Sequence, residues 1–273
     1  MFQVKQRSDT AASAANILEL IYVATVRSLR MTHGNAVIGM VKNIMQSMLF
    51  IAVFYLMFEW LQLRSAAVRG DFMLYMMSGI FLFMTHIKGL AAIVGAEGST
   101  SPLMQHAPMN PAIALISSAL SSLYIQVLSA AVIMAVYYCL ARPFVIHDPI
   151  GAIAMFLLAW FSGCAVGMIF RALKPWFPTF VGIASTVYQR ANMIASGKMV
   201  LANTLPASKL AFFSWNPLFH TIDQTRGFAY INYNPHNSSI TYPIYVSLAL
   251  IMIGLLGDFY TRQHQSQSWS ARA

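Results

Sequence analysis

The sequence predicts an all-α membrane protein with six transmembrane helices, and three observations support that prediction. Six apolar stretches follow one another after the first 35 residues. A hydrocarbon core of roughly 30 Å needs about 20 helical residues, and each stretch supplies that length. Only 9% of the residues are charged, against roughly 25% in an ordinary soluble domain. The stretches occupy residues 36–58, 72–94, 112–140, 150–170, 176–197 and 240–260.

The segment before the first stretch predicts an amphipathic helix that lies in the membrane interface. Residues 16–30 place Asn16, Glu19, Arg27 and Arg30 on one helical face and Ile17, Ile21 and Ala24 on the other. We therefore divide the chain into a cytoplasmic N-terminal segment (1–35), a six-span transmembrane domain (36–261) and a cytoplasmic tail (262–273).

The distribution of basic residues predicts that both termini are cytoplasmic. With the N-terminus inside, the short outer loops keep only Arg64, Arg69 and Arg142. The loop at residues 95–111 then faces the cytoplasm, and the long segment at 199–239 faces outward. Because the basic residues flank spans, the net charge of +9 indicates topology and not nucleic-acid binding. The cytoplasmic basic residues are Lys5, Arg7, Arg27, Arg30, Arg171, Lys174, Arg262 and Arg272.

The first span ends in an aromatic run that includes Phe54, Tyr55 and Phe58. Aromatic residues at the end of a span are typical of an interfacial belt. They also suit a surface on which a ligand stacks, and the sequence leaves both interpretations open.

The fifth span carries a polar stripe of Ser185, Gln189, Asn192 and Ser196, with Tyr188 and Arg190 in the same helix. An ionisable residue within a span is costly in lipid and is expected to face protein or water. Arg190 lies in the outer part of this span, so it either extends to the interface or lines a pore.

The outward segment at 199–239 interleaves aromatic residues with prolines and polar residues. This pattern predicts short helices that re-enter the outer part of the membrane, where irregular backbone is tolerated if it is buried or lines a cavity. The residues singled out there are Trp215, Asn216, Pro217, His220 and Arg226.

The motifs of nucleotide-binding sites and common hydrolases are missing from this sequence. A Walker A loop needs the pattern G-x-x-x-x-G-K-[ST], and the nearest match, Gly197-Lys198, is followed by Met199. The eight acidic residues lie almost entirely at loop positions, which disfavours an enzyme and also a transporter driven by an ion gradient. We expect no metal and no cofactor, and the energy for transport would come from another polypeptide.

The chain resembles the permease subunits of type-2 ATP-binding-cassette exporters, in the branch that exports capsular polysaccharide or O-antigen. The resemblance covers nearly the whole chain, and its most specific part follows the fifth span. The matching order of residues there is Ser196-Gly197, Leu205-Pro206, Trp215-Asn216-Pro217-Leu218, His220 and Arg226.

The resemblance implies a subunit of the bacterial inner membrane that forms a homodimer and binds two copies of a separate ATPase. That ATPase, and not this chain, would hydrolyse ATP to move a lipid-linked polysaccharide outward, with periplasmic and outer-membrane export proteins as further partners. The implied ATPase-coupling residues are Arg27, Arg30, Glu97, His106 and Pro108. The implied channel residues are Phe54, Tyr55, Phe58, Ser185, Tyr188, Gln189, Arg190 and Asn192.

Two other functions remain open at this point. An exporter of small hydrophobic compounds could use the same fold, and a smooth apolar pocket would favour it over a polar, aromatic channel. A membrane scaffold for a biosynthetic complex would carry out no transport, and it would need no ATPase.

Overall fold

The computed structural model describes residues 10–33, 36–61, 70–96, 111–141 and 143–264. Within these ranges the chain forms nine α-helices and one short 3₁₀ turn, Ala202–Thr204, and no strand. The helices are α1 (Thr10–His33), α2 (Ala36–Trp60), α3 (Phe72–Gly95), α4 (Pro111–Leu140), α5 (Pro149–Leu173), α6 (Pro178–Ala195), α7 (Ala207–Phe213), α8 (Pro217–Ala229) and α9 (Thr241–His264).

Local sequence signals explain where several helices begin. The carboxylate of Asp71 accepts a hydrogen bond from the Met73 amide at the start of α3. Asp148 precedes Pro149 and accepts hydrogen bonds from two amides in the first turn of α5. A side-chain acceptor followed by proline is the favoured start of a helix, since proline needs no amide partner in the first turn.

Helix α3 lies at the centre of the bundle, and most of its side chains are buried. It contacts α2, α4, α5 and α8. Its contact with α5 is especially close, because Gly163 presents no side chain to the backbone of α3. A Cβ atom at Gly163 would lie 2.1 Å from the carbonyl oxygen of His86. The pair Gly163 and Gly167 therefore forms a helix-packing surface of the small-residue type that membrane helices use.

Five helices are long and apolar enough to cross a membrane by length and composition: α2, α3, α4, α5 and α9. They coincide with five of the predicted spans, so the prediction of an all-α membrane protein is confirmed. Helix α6 covers the remaining predicted span at 176–197 but has 18 residues, or about 27 Å at about 1.5 Å per residue. Its polar stripe lowers its hydropathy, and its role as a sixth span stays a prediction.

The two ends of the bundle are held by different groups. At one end, called here the α1 end, α1 packs on α4 through a 3.1 Å hydrogen bond between Ser28 and Ser121. There Arg171 of α5 donates to the Ala96 carbonyl at 2.7 Å and pairs with Asp258 of α9. At the opposite end, the α8 end, the Tyr230 hydroxyl donates to the Asp71 carbonyl at 2.6 Å.

Candidate functional site

Helix α8 and the chain on both sides of it form a buried polar cluster, the α8 cluster, made of Asn216, His220, Asp223 and Arg226. Arg226 is 0% exposed, Asp223 is 1% exposed, and the other two residues are also buried. Burying polar side chains is unfavourable unless each one has hydrogen-bond partners. The partners of these four residues therefore explain how the segment is held.

Arg226 binds the backbone that follows α6. Its Nη1 atom donates to the carbonyl oxygens of Gly197 at 3.2 Å and Val200 at 2.7 Å, and its Nη2 atom donates to that of Lys198. The guanidinium carbon lies 4.1 Å from the centre of the Tyr75 ring. One side chain thus holds three carbonyl groups of an irregular segment and packs it against α3.

Gly197 has a positive φ of 64°, which disfavours any residue with a Cβ atom. A Cβ atom there would also lie 2.4 Å from the ring of Phe219. The chain therefore turns at Ser196-Gly197, and only glycine fits at position 197. The turn presents the Gly197 carbonyl, which is one of the three that Arg226 binds.

Asp223 joins three separate parts of the segment at residues 199–239. Its carboxylate accepts hydrogen bonds from the Ala202 amide at 3.3 Å, from the Tyr233 hydroxyl, and from the Ser238 hydroxyl at 2.7 Å. Burial and the neighbouring Asp223 carboxylate raise the pKa of Tyr233, so its hydroxyl remains a donor. Sequence reasoning missed Asp223 because its partners are distant in the chain.

Asn216 connects the start of α8 to the end of α6. Its Oδ1 atom accepts a hydrogen bond from the Leu218 amide at 3.0 Å and so caps α8. Its Nδ2 atom donates to Asn192 Oδ1 at 2.7 Å and to the Ala195 carbonyl at 2.9 Å. The Asn-Pro pair predicted from sequence therefore both starts a helix and ties it to its neighbour.

His220 is held as a neutral imidazole by two backbone groups. The Ser239 amide donates to Nδ1 at 3.0 Å, so the proton lies on Nε2, which is 2.7 Å from the Ser214 carbonyl. Burial lowers the pKa of His220, which keeps this arrangement uncharged near neutral pH.

Lys198 lies in an aromatic cage that the sequence did not reveal. Its Nζ atom is 5.3, 4.8 and 3.7 Å from the ring centres of Phe50, Phe54 and Phe83. The ammonium group is buried and has no hydrogen-bond partner among the described residues. Burial lowers the pKa of Lys198 to about 7. The sequence drew attention to this residue only as part of an incomplete nucleotide loop.

The predicted channel residues fall into two groups. Phe54, Phe58, Ser185 and Asn192 are buried within the protomer. The Tyr188 hydroxyl lies 3.0 Å from Nε2 of His86 and thereby joins α6 to α3. Tyr55 and Gln189 are half-buried, and Arg190 is exposed. Some of the predicted channel residues are thus buried in helix contacts, and others lie at the surface of the protomer. Their assignment to a channel stays a prediction.

The predicted ATPase-coupling residues are only partly covered by the structure. Arg27 is exposed on α1, while Ala24 on the opposite face of that helix is buried. The described residues do not include Glu97, His106, Pro108 or the side chain of Arg30. In the part of the chain that the structure covers, no group of three His, Cys, Asp or Glu residues could share a metal ion.

Comparisons with known proteins give a consistent but distant result. No protein-family model matches the chain. Two curated relatives are both called polysialic acid transport protein KpsM of Escherichia coli. One is 22% identical over 68% of this chain and 71% of the relative. The other is 21% identical over 84% of this chain and 88% of the relative. These matches confirm, at low identity, the resemblance drawn from the sequence.

Proposed function

We propose that this chain is the permease subunit of an ATP-driven polysaccharide exporter in a bacterial inner membrane. The observation that carries the proposal is the alignment with a polysialic acid transport protein over 84% of this chain and 88% of that relative. The substrate that we propose is a lipid-linked capsular polysaccharide or O-antigen. The five apolar helices of the structure agree with a membrane location.

The assembly that we propose contains two copies of this chain and two copies of a separate ATPase. Both termini and the loop at 95–111 would face the cytoplasm. In this proposal the ATPase binds to Arg27 and Arg30 of α1 and to Glu97, His106 and Pro108 of that loop. This proposal uses the division of the chain that the sequence predicts: the N-terminal segment (1–35), the transmembrane domain (36–261) and the tail (262–273).

The translocation path that we propose runs beside α6 and ends at the helices α7 and α8, which would re-enter the outer part of the membrane. A path for sugar chains needs aromatic faces for the rings and polar groups for their hydroxyls. Trp215 and Arg190 are exposed in this region, and Gln189 is half-buried. The α8 cluster supports the proposal because it fixes the irregular backbone near that path.

The test of the proposed function is ATP-dependent transport that requires both subunits. We expect the purified chain alone to hydrolyse no ATP, because its sequence lacks a Walker A loop. Hydrolysis and polysaccharide transport into inverted vesicles should both appear when the cognate ATPase is added. The control is an ATPase variant without its Walker A lysine. ATP hydrolysis by the pure chain, or full transport with the inactive ATPase, would contradict the proposal.

Replacing Arg190 with glutamine should reduce export several-fold while expression and ATPase binding persist. A positive charge beside the path would attract an acidic polysaccharide, and this attraction is stronger where the dielectric is low. The matched control is Lys209→Gln, since Lys209 is another exposed basic residue of the outward half. Export is measured as surface polysaccharide per cell. Normal export by Arg190→Gln would mean that Arg190 only extends to the interface.

A further inference from the structure

A cavity of about 420 Å³ lies between α1, α2, α3 and α4 at the α1 end of the bundle. Nine of its fourteen lining residues carry polar side chains, although it lies among helices apolar enough to cross a membrane. Nζ of Lys88 reaches into it and donates to Oε1 of Gln46 at 2.9 Å. The polar lining residues used in this inference are Lys42, Gln46, Lys88, Ser118, Ser122 and Gln126.

The cavity carries positive charge without a balancing carboxylate among its described lining residues. Lys42 and Lys88 come from neighbouring helices, α2 and α3, and the amide groups of Gln46 and Gln126 beside them can donate further hydrogen bonds. Two ammonium groups together with neutral donors suit a phosphate group. Charge complementarity therefore favours an anionic ligand.

A second space of about 510 Å³ lies along the same two helices, α2 and α4, farther from the α1 end. Its lining is almost entirely apolar and includes Ile51, Leu56, Ile133 and Val136. Such a groove offers very little polar surface to a ligand. It suits a hydrocarbon chain.

A polar bridge between α2 and α4 lies at the end of the cavity that is nearer the groove. Asn43 of α2 donates to the Ser129 hydroxyl at 2.9 Å and accepts from Gln126 at 3.1 Å, both residues of α4. From Lys42 to Leu56 the helix rises about 21 Å at about 1.5 Å per residue, which is more than half of a hydrocarbon core of roughly 30 Å. The cavity and the groove together thus extend over a distance similar to the length of one lipid molecule.

We infer that the cleft between α2 and α4 binds one anionic phospholipid from the leaflet at the α1 end of the bundle. The phosphate lies between Lys42 and Lys88, and an acyl chain lies along the groove at Ile51 and Val136. The apolar groove flanks helices of membrane-crossing length, where acyl chains are the abundant occupant. This inference does not depend on which molecule the protein exports.

The experiment uses the full chain in nanodiscs made from equal amounts of phosphatidylglycerol and phosphatidylcholine. The lipid that remains bound after mild detergent extraction is identified by native mass spectrometry. We expect about one phosphatidylglycerol per chain and little phosphatidylcholine. Lys42→Gln and Lys88→Gln should each reduce its retention about fivefold, the expected effect of one interfacial lysine on an anionic lipid.

Three further variants keep the test specific. Lys174→Gln is the matched control, because Lys174 lies at the same end of the bundle, donates to the Val94 carbonyl and does not line the cavity. Lys88→Arg retains the charge and should retain the lipid. Ala52→Phe, which fills the groove, should release it while leaving both lysines in place.

Three results would overturn the inference. Equal retention of both phospholipids would mean that the lipids are only part of the surrounding annulus. Loss of phosphatidylglycerol in Lys174→Gln as large as in Lys88→Gln would indicate a general surface effect. Occupancy by the lipid-linked polysaccharide alone, in cells that make it, would assign the cleft to the substrate. Because the readout is lipid binding and not export, each result leaves the proposed function to its own test.

Discussion

Replacing Gly163 with alanine is expected to destabilise the solubilised protein by about 2–4 kcal/mol, because overpacking of a closed helix contact forces backbones apart. The new methyl group would lie 2.1 Å from the His86 carbonyl oxygen, and that neighbour is backbone and not a flexible side chain. Helices α3 and α5 must therefore separate. The measurement is the midpoint of thermal unfolding of the detergent-solubilised chain, read from intrinsic tryptophan fluorescence.

Gly182→Ala is the matched control for this substitution. It makes the same chemical change within α6, but beyond the neighbouring backbone of α6 itself no described atom lies within 4 Å of the added Cβ atom. Alanine is favoured over glycine inside a helix by about 0.5–1 kcal/mol, so this variant should unfold at the same temperature or slightly higher. If both variants unfolded at the same temperature as the parent, the close contact of α3 and α5 would be wrong.

Arg226→Met should be nearly as damaging, with a loss of about 3–5 kcal/mol. The change removes the donors for three buried carbonyl groups, those of Gly197, Lys198 and Val200. A buried acceptor that loses its partner costs about 1–3 kcal/mol. Thermal unfolding and the yield of monodisperse protein measure the effect, and export should be lost with the fold of the segment at residues 199–239.

Two substitutions separate the hydrogen bonds of Arg226 from the removal of charge itself. Arg190→Met removes an exposed arginine and should change the unfolding midpoint little. Lys198→Met removes a buried cation whose Nζ atom has no hydrogen-bond partner in the part of the chain that the structure describes, and methionine is expected to pack well among the three phenylalanine rings. Should Arg226→Met prove as stable as Lys198→Met, the carbonyl contacts would contribute little.

The fold was largely predictable because the hydropathy of a helix reports directly on the medium around it. The apolar stretches at 36–58, 72–94, 112–140, 150–170 and 240–260 each correspond to a helix of membrane-crossing length. The stretch at 176–197 was harder to interpret, since polar residues on one face of α6 reduce its hydropathy. Sequence periodicity indicates that such a face exists but does not identify what it contacts.

The candidate site was predictable in part. Asn216 and Pro217 carry a recognisable helix start, and Arg226 is the one arginine in the sequence from residue 199 to residue 239. The partners of Asp223 lie at Ala202, Tyr233 and Ser238, which are brought together only by tertiary folding. The aromatic cage of Lys198 likewise depends on two helices far earlier in the chain.

The bridge made by Arg171 has a mechanical consequence. Its guanidinium holds the Ala96 carbonyl at 2.7 Å and the Asp258 carboxylate at 3.5 Å, while Lys174 donates to the Val94 carbonyl at 3.0 Å. Ala96 is the point where the chain leaves α3 for residues 97–110. A force applied at that point is therefore transmitted through these contacts to α5 and α9 as well as to α3. The contacts favour a joint displacement of the three helices over a bend in α3 alone.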